Sequence, residues 1–150
     1  MNAMEALAAQ MEWAGRNFVH NLKFVPDDKL DWKPAETAPS ALEIVNHMAD
    51  SLSRVRSRVT GGEYDPNIIL ATNREEAQAL VSEEIGLYAQ MLRATSDEEL
   101  EQTVTFPWGE FSKAKLAEMM SIEVSHHHGQ IAYIQMLLGD TQSHFEELGN

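Results

Sequence analysis

The chain has 150 residues, 43% of them hydrophobic and 23% charged, with 11 Lys+Arg against 24 Asp+Glu and a formal net charge of -13. That length buries one ordinary core without staples, and that charge repels phosphate backbones and anionic membranes, which argues against nucleic acid or a membrane as partner and favours a bound cation. There are no cysteines, so disulfides and thiolate zinc sites are excluded and any nucleophilic thiol must arrive on a cosubstrate.

Helical periodicity dominates the chain in order. Met4, Leu7, Met11, Phe18 and Leu22 recur at threes, fours and sevens and predict a first helix over residues 2–24. The stretch "VPDDKLDWKPAETAP" carries three prolines that break it and form a long connection. Ser40-x-x-Glu43 reads as a capping box opening a second helix, with Ile44, His47/Met48, Leu52, Val55 and Val59 inward and Gly61-Gly62 as its end. After the loop "EYDPNIIL", Thr72-x-x-Glu75 predicts the start of a third helix with Ala79, Leu80, Ile85, Leu87, Met91 and Leu92 as apolar positions. A second connection follows, with extended structure near residues 104–106. Ser112 then caps a fourth helix that runs to Leu138 and stops at Gly139.

No internal repeat, linker or domain boundary interrupts this pattern, so residues 1–150 are expected to form a single all-α domain, an antiparallel four-helix bundle. The opening stretch "MNAMEALAAQMEWAGRNF" includes Glu5, Glu12 and Arg16 and lacks a signal-cleavage pattern, and no apolar run reaches the length of a membrane span. The expected location is the cytoplasm.

Sites in helix bundles are built from side chains on facing helices. The stripe of the fourth helix reads Leu116, Met120, Glu123, His127, Ile131, Ile134 and Leu138. Glu123 and His127 therefore fall one turn apart on the inward face, with His126 at the flank and His128 about 100° further round, toward solvent. A carboxylate and an imidazole on an apolar stripe are costly unless paired or metal-bound. Glu-x-x-x-His is half of a metal site, and His47 on the second helix can supply a third ligand across the bundle. Two imidazoles and a carboxylate suit zinc, nickel or a similar divalent ion and leave an open position. The competing readings are a hydrogen-bonded Glu123–His127 pair, with Arg54 as an added partner, and a His47 that merely sits at the core boundary. His20 and His144 lie among polar neighbours and are expected to be solvated, as is the tail "SHFEELGN"; Met91, Met119, Met120 and Met136 read as core filler.

Two blocks carry a family resemblance: "FVPDDKLDWKPAETAPSALEIVNHMAD" (24–50), with its Leu-Asp-Trp-x-Pro run, capping serine and histidine, and "WGEFSKAKLAEMMSIEVSHHHGQIAYIQMLLG" (108–139), with its glycine turn, capped helix and His-x-Gly-Gln signature. The sequence resembles the DinB-like superfamily of four-helix metal-binding proteins, which includes YfiT-like hydrolases and thiol-dependent transferases, over about residues 13–139. The resemblance implies a four-helix bundle with His127, the histidine before x-Gly-Gln, as a metal ligand and His47 as the ligand on the second helix. Where the family often has histidine one turn before His127, this chain has Glu123, as in the mycothiol-dependent maleylpyruvate isomerase branch. Gln130 and His126 are candidates for support behind the ligands; for Gly129-Gln130 the alternative is helix packing with a solvated glutamine. The resemblance further implies a transferase activating a low-molecular-weight thiol, or water, against a small-molecule substrate, and a homodimer. The alternative is a non-catalytic bundle that binds a metal or a small ligand. Trp32, Trp108 and the loops 61–71 and 103–111 are the expected walls of a mouth.

Overall fold

Asn2, Ser40, Asn73 and Ser112 each stand just ahead of a long helix and accept a hydrogen bond from a backbone N–H three residues on, at 2.8, 3.2, 3.0 and 3.2 Å. Each satisfies one of the orphan amides of a first helical turn. The computed structural model describes residues 2–67 and 69–146. The helices so opened are α1 (Ala3–Leu22), α2 (Ala41–Thr60), α3 (Arg74–Ala94) and α5 (Lys113–Leu137). Between the last two lie a one-turn helix α4 (Asp97–Leu100) and an antiparallel hairpin, β1 (Thr103–Phe106) with β2 (Gly109–Ser112). The expected four-helix bundle is the architecture formed, but its neighbours are not all antiparallel as expected: α1 with α5 and α2 with α3 run parallel.

Most of the expected boundaries hold. The Ser40–Glu43 capping box forms in both directions, and Gly61 ends α2 with φ at 73°, a left-handed conformation that suits glycine. Strand β1 contains the expected extended segment. Helix α3 begins one residue later than expected: Asn73 is the cap, while the Thr72 backbone and hydroxyl both donate to Glu76 Oε2.

Side-chain contacts fix how the helices run. Arg93 near the end of α3 pairs with Glu5 and Glu12 on α1, and Gln78 near its start donates to Val19 O, so these neighbours are antiparallel. Asn21 at the end of α1 meets Gln135 at the end of α5, which makes that pair parallel. Asn46 exchanges two hydrogen bonds with the Ala71 backbone, and Arg56 pairs with Glu84, so α2 and α3 also run parallel. Helices α2 and α5 are antiparallel: His47 faces His127 and Val55 shares a cleft with Leu116. A parallel α2–α3 pair requires the 61–73 segment to retrace α2, and it does, held by Tyr64 to Asp50 and by Ala71 to Asn46.

The core is apolar and continuous, with Met11, Phe18, Met48, Leu52, Tyr88, Leu92 and Ile131 among its buried side chains. The inner face of α3 is Ala77, Val81, Ile85, Tyr88 and Leu92; Ala79 and Leu87, expected as apolar positions of this helix, are exposed. Met120 and Met91 fill the core as expected, whereas Met136 faces outward, 50% exposed. Close approach of α1 to α3 depends on Gly15, where a Cβ would lie 2.6 Å from Ile85 Cδ1. No helix among the described residues is long and apolar enough to cross a membrane.

Candidate metal centre

Helix α5 packs against α1 on one side and α2 on the other, so it buries a broader arc than a single stripe. Its inner line runs Leu116, Met120, Val124, His127, Ile131 and Ile134. Val124, not Glu123, holds the deep position between Met120 and His127; Glu123 sits on the edge facing α2 with 46% of its side chain exposed. His128 is half-buried and does not simply face solvent as expected. A step of 100° turns it toward α1, where its Nε2 lies 2.7 Å from the Asn21 amide and its ring tilts against Phe18. His126 is exposed, as its flank position implies.

His127 is buried, and its two ring nitrogens have different surroundings. Nδ1 lies 2.7 Å from Gln130 Oε1. An amide oxygen only accepts, so Nδ1 carries the proton and the neutral ring presents a lone pair at Nε2. That Nε2 is buried without a hydrogen bond, 3.3 Å from Glu123 Oε2. Burial pushes the imidazole pKa down, against the opposing pull of Gln130 and the Glu123 carboxylate. In the neutral ring, then, a lone pair faces a carboxylate, two acceptors with no proton between them.

His47 approaches from α2, its ring 5.3 Å from that of His127 at 82°. It is more exposed than the inward stripe of α2 implied, since the deep positions there belong to Ile44, Met48 and Leu52. The structure thus brings His47, Glu123 and His127 to one place on the α2–α5 edge. Among the described residues, however, no three metal-ligating side chains converge closely enough to hold an ion as they stand. Gln130 is at the site, bonded to the ring it was expected to support, and the His126 ring is 5.0 Å from that of His127. Gly129 serves no helix packing, for nothing lies within 4 Å of where its Cβ would be.

Two clefts flank this point along the α2–α5 edge. Below it, a cleft of about 180 Å³ is walled by the hairpin aromatics, Val55, Met119 and Glu123, with Arg54 also in its lining. Above it, a groove of about 410 Å³ runs between Pro34, Pro39 and Ile44 on one side and His126, Gln130 and Tyr133 on the other. Trp108 is therefore at a mouth as expected, while Trp32 packs against the core. Arg54 was a possible partner for Glu123. It bonds instead to Asp50, which also accepts from the Tyr64 hydroxyl, and its guanidinium lies over the Tyr64 ring.

His144, expected in solvent, is buried: its ring stacks on Phe24 at 3.4 Å and its Nε2 meets Asp140 at 2.8 Å. The first half of the acidic tail is accordingly docked, with Glu146 N donating to Asn17; residues 147–150 lie outside the described residues. Only the hydrophobic Phe145 in "SHFEELGN" hinted at this.

Comparison with known proteins agrees with the four-helix fold. A family model described as the DinB superfamily matches residues 10–131. No curated protein matches the chain. Among solved structures, a DinB-like protein from Bacillus subtilis, YjoA, superposes with a TM-score of 0.76 at 19% identity, covering 93% of this chain and 96% of that one. A conserved protein from Enterococcus faecalis gives 0.72 at 15% identity, covering 93% and 99%. YfiT from Bacillus subtilis, described as "a probable metal-dependent hydrolase with an unusual four-helix bundle topology", gives 0.69 at 18% identity, covering 91% and 87%.

Proposed function

Since the chain belongs to the DinB superfamily, we propose that its α2–α5 edge is a divalent-metal centre held by His47, Glu123 and His127, and that the protein is a metal-dependent transferase or hydrolase acting on a small molecule. The observation that carries this reading is the buried, unpartnered Nε2 of His127 facing the Glu123 carboxylate. A cation between two acceptors resolves an arrangement that otherwise leaves a buried lone pair unsatisfied. Two imidazoles and one carboxylate are also the donor set of zinc, nickel and similar ions at catalytic sites with an open position. His47 completes the set by turning its exposed ring, which requires no movement of the core.

A bound divalent ion supplies a lowered pKa for water or for the thiol of a low-molecular-weight cosubstrate, giving a nucleophile at neutral pH. The residues of this chain do the rest. Gln130 holds the His127 proton on Nδ1 and keeps Nε2 available, the usual task of a group behind a metal ligand. Glu123 contributes negative charge beside the ion. His126, exposed on the upper groove, stands where a proton can pass to or from a bound molecule. With no cysteine in the chain, a thiol nucleophile here is one brought by a cosubstrate.

The discriminating experiment uses Co²⁺-loaded protein titrated with bacillithiol, mycothiol, glutathione and coenzyme A. A sulfur-to-metal charge-transfer band with one of them, together with faster conjugation of an electrophile and loss of both in His127→Ala, is the transferase outcome. Rate enhancement of ester or amide hydrolysis without the band is the hydrolase outcome. Neither response, from protein that holds its metal, would overturn the catalytic reading in favour of a metal-binding or ligand-binding bundle.

A further inference from the structure

The cleft below the metal centre has a composition that differs from the rest of the α2–α5 edge. Phe106 stacks on Trp108 at 5.0 Å and 26°, and meets Phe111 edge-on at 6.1 Å and 66°, so three aromatic rings form one wall. The opposite wall is aliphatic and thioether, from Val55, Leu116 and Met119, with Glu123 lining the same cleft. Trp108 is 63% exposed at the hairpin tip. The hairpin folds two aromatics onto the bundle and leaves the third largely in water beside a hollow, an arrangement that leaves apolar surface without a partner.

Size and charge narrow the occupant. At about 180 Å³ the cleft is close to the roughly 150 Å³ apolar cavity that holds a benzene ring in other proteins. The cationic group in its lining, Arg54, already has Asp50 as ion-pair partner and the Tyr64 ring beneath it. Glu123 and a formal net charge of -13 disfavour an anion. Aromatic walls favour a flat ring that stacks or meets them edge-on.

We propose that this cleft is a ring-binding subsite that seats a single uncharged six-membered aromatic ring of the substrate between the hairpin aromatics and Met119, next to Glu123. The inference deepens the proposed function by naming the substrate class, and rests on it for the catalytic consequence; binding of the ring depends on the cleft alone. The wider upper groove, whose walls are proline, isoleucine, histidine and tyrosine, then remains for the second reactant.

The test is ¹⁹F NMR of fluorobenzene, and of 4-fluorobenzoate as its anionic counterpart, added to the full chain after chelation and again after Zn²⁺ loading. Fluorobenzene should broaden and shift in both preparations, with affinity about tenfold above that of the benzoate. Met119→Trp, which fills the cleft, and Trp108→Ala, at a largely exposed position, should each reduce binding at least several-fold. Gly129→Phe, in the upper groove, should leave it unchanged. Binding that survives both cleft variants, is lost instead in Gly129→Phe, favours the benzoate, or is absent from folded protein overturns the proposal. Failure of the metal reading looks different: Zn²⁺ is not taken up while fluorobenzene still binds.

Discussion

His126, His127 and His128 place one side chain in three environments by steps of about 100°: water beside a groove, the buried edge facing α2, and the flank of α1. His127 was legible from sequence because it falls on the apolar stripe, and Glu123 because it lies one turn away on the same side. The contact of His128 with Asn21 was not, because a helical wheel does not say that α1 lies next to that flank. The roles proposed for these residues in metal binding predict a graded series. His127→Ala should abolish metal binding, Glu123→His should retain it, and Glu123→Leu should weaken it, each read by competition with a chromophoric chelator. Gln130→Ala should cost roughly 10–100-fold in affinity, since it frees the ring tautomer without removing a ligand. Equal affinity in Glu123→Leu and the parent would remove the glutamate from the ligand set.

The same burial has a pH consequence. Desolvation lowers the pKa of both His127 and His128 in the folded chain. As pH falls through the ordinary imidazole range near 6.5, the unfolded chain takes up protons first, so these groups subtract stability below that range and subtract no more once the folded-state values are passed. Urea midpoints of chelated protein should therefore fall between about pH 7 and pH 5, and His128→Gln should flatten part of the slope. Other carboxylates act in the same direction, so the readout is the difference between variant and parent. An unchanged slope in the variant would contradict the assignment to His128.

At the scale of elements, the caps were the most legible feature, because an N-cap is a local event written in two or three residues. Ser40→Ala removes the hydroxyl half of a capping box, the acceptor of Glu43 N–H, while the backbone N–H of residue 40 still donates to Glu43, and should cost about 1 kcal/mol in chemical denaturation, with metal affinity unchanged. Gly129 offers the opposite sign. It sits mid-helix with nothing near its absent Cβ, so Gly129→Ala should stabilise the protein by up to about 1 kcal/mol; a loss of stability would show that the backbone there is held by something other than helix propensity. Helix α3 was less legible. Ala79 and Leu87 stand on faces other than the buried one, and periodicity cannot rank competing apolar stripes when each is made of alanine and leucine. Which of them is covered is decided by Gly15 and Ile85, a contact between residues 70 positions apart in the chain.

At the scale of the molecule, the four long helices and the class followed from the sequence, but the order and direction of the helices did not. Short loops favour antiparallel neighbours, whereas the parallel α2–α3 pair depends on a loop that returns along α2 through Tyr64–Asp50 and Ala71–Asn46. Its consequence reaches the candidate site: with α3 so placed, α2 and α5 become antiparallel neighbours, and His47 meets His127. The docked tail belongs to this scale too. His144→Ala removes a ring stacked on Phe24 and a hydrogen-bond partner of Asp140, and should cost about 1–2 kcal/mol in thermal or urea unfolding while leaving metal stoichiometry intact.

The central claim is that the α2–α5 edge holds one divalent ion on His47, Glu123 and His127. Elemental analysis of the purified protein, after loading with Zn²⁺ or Ni²⁺ at neutral pH and exhaustive dialysis, tests it most directly. The expected result is about one ion per chain for the parent, with His47→Ala and His127→Ala folded but empty. Parent protein that retains no ion under these conditions, or histidine variants that retain as much as the parent, would contradict it.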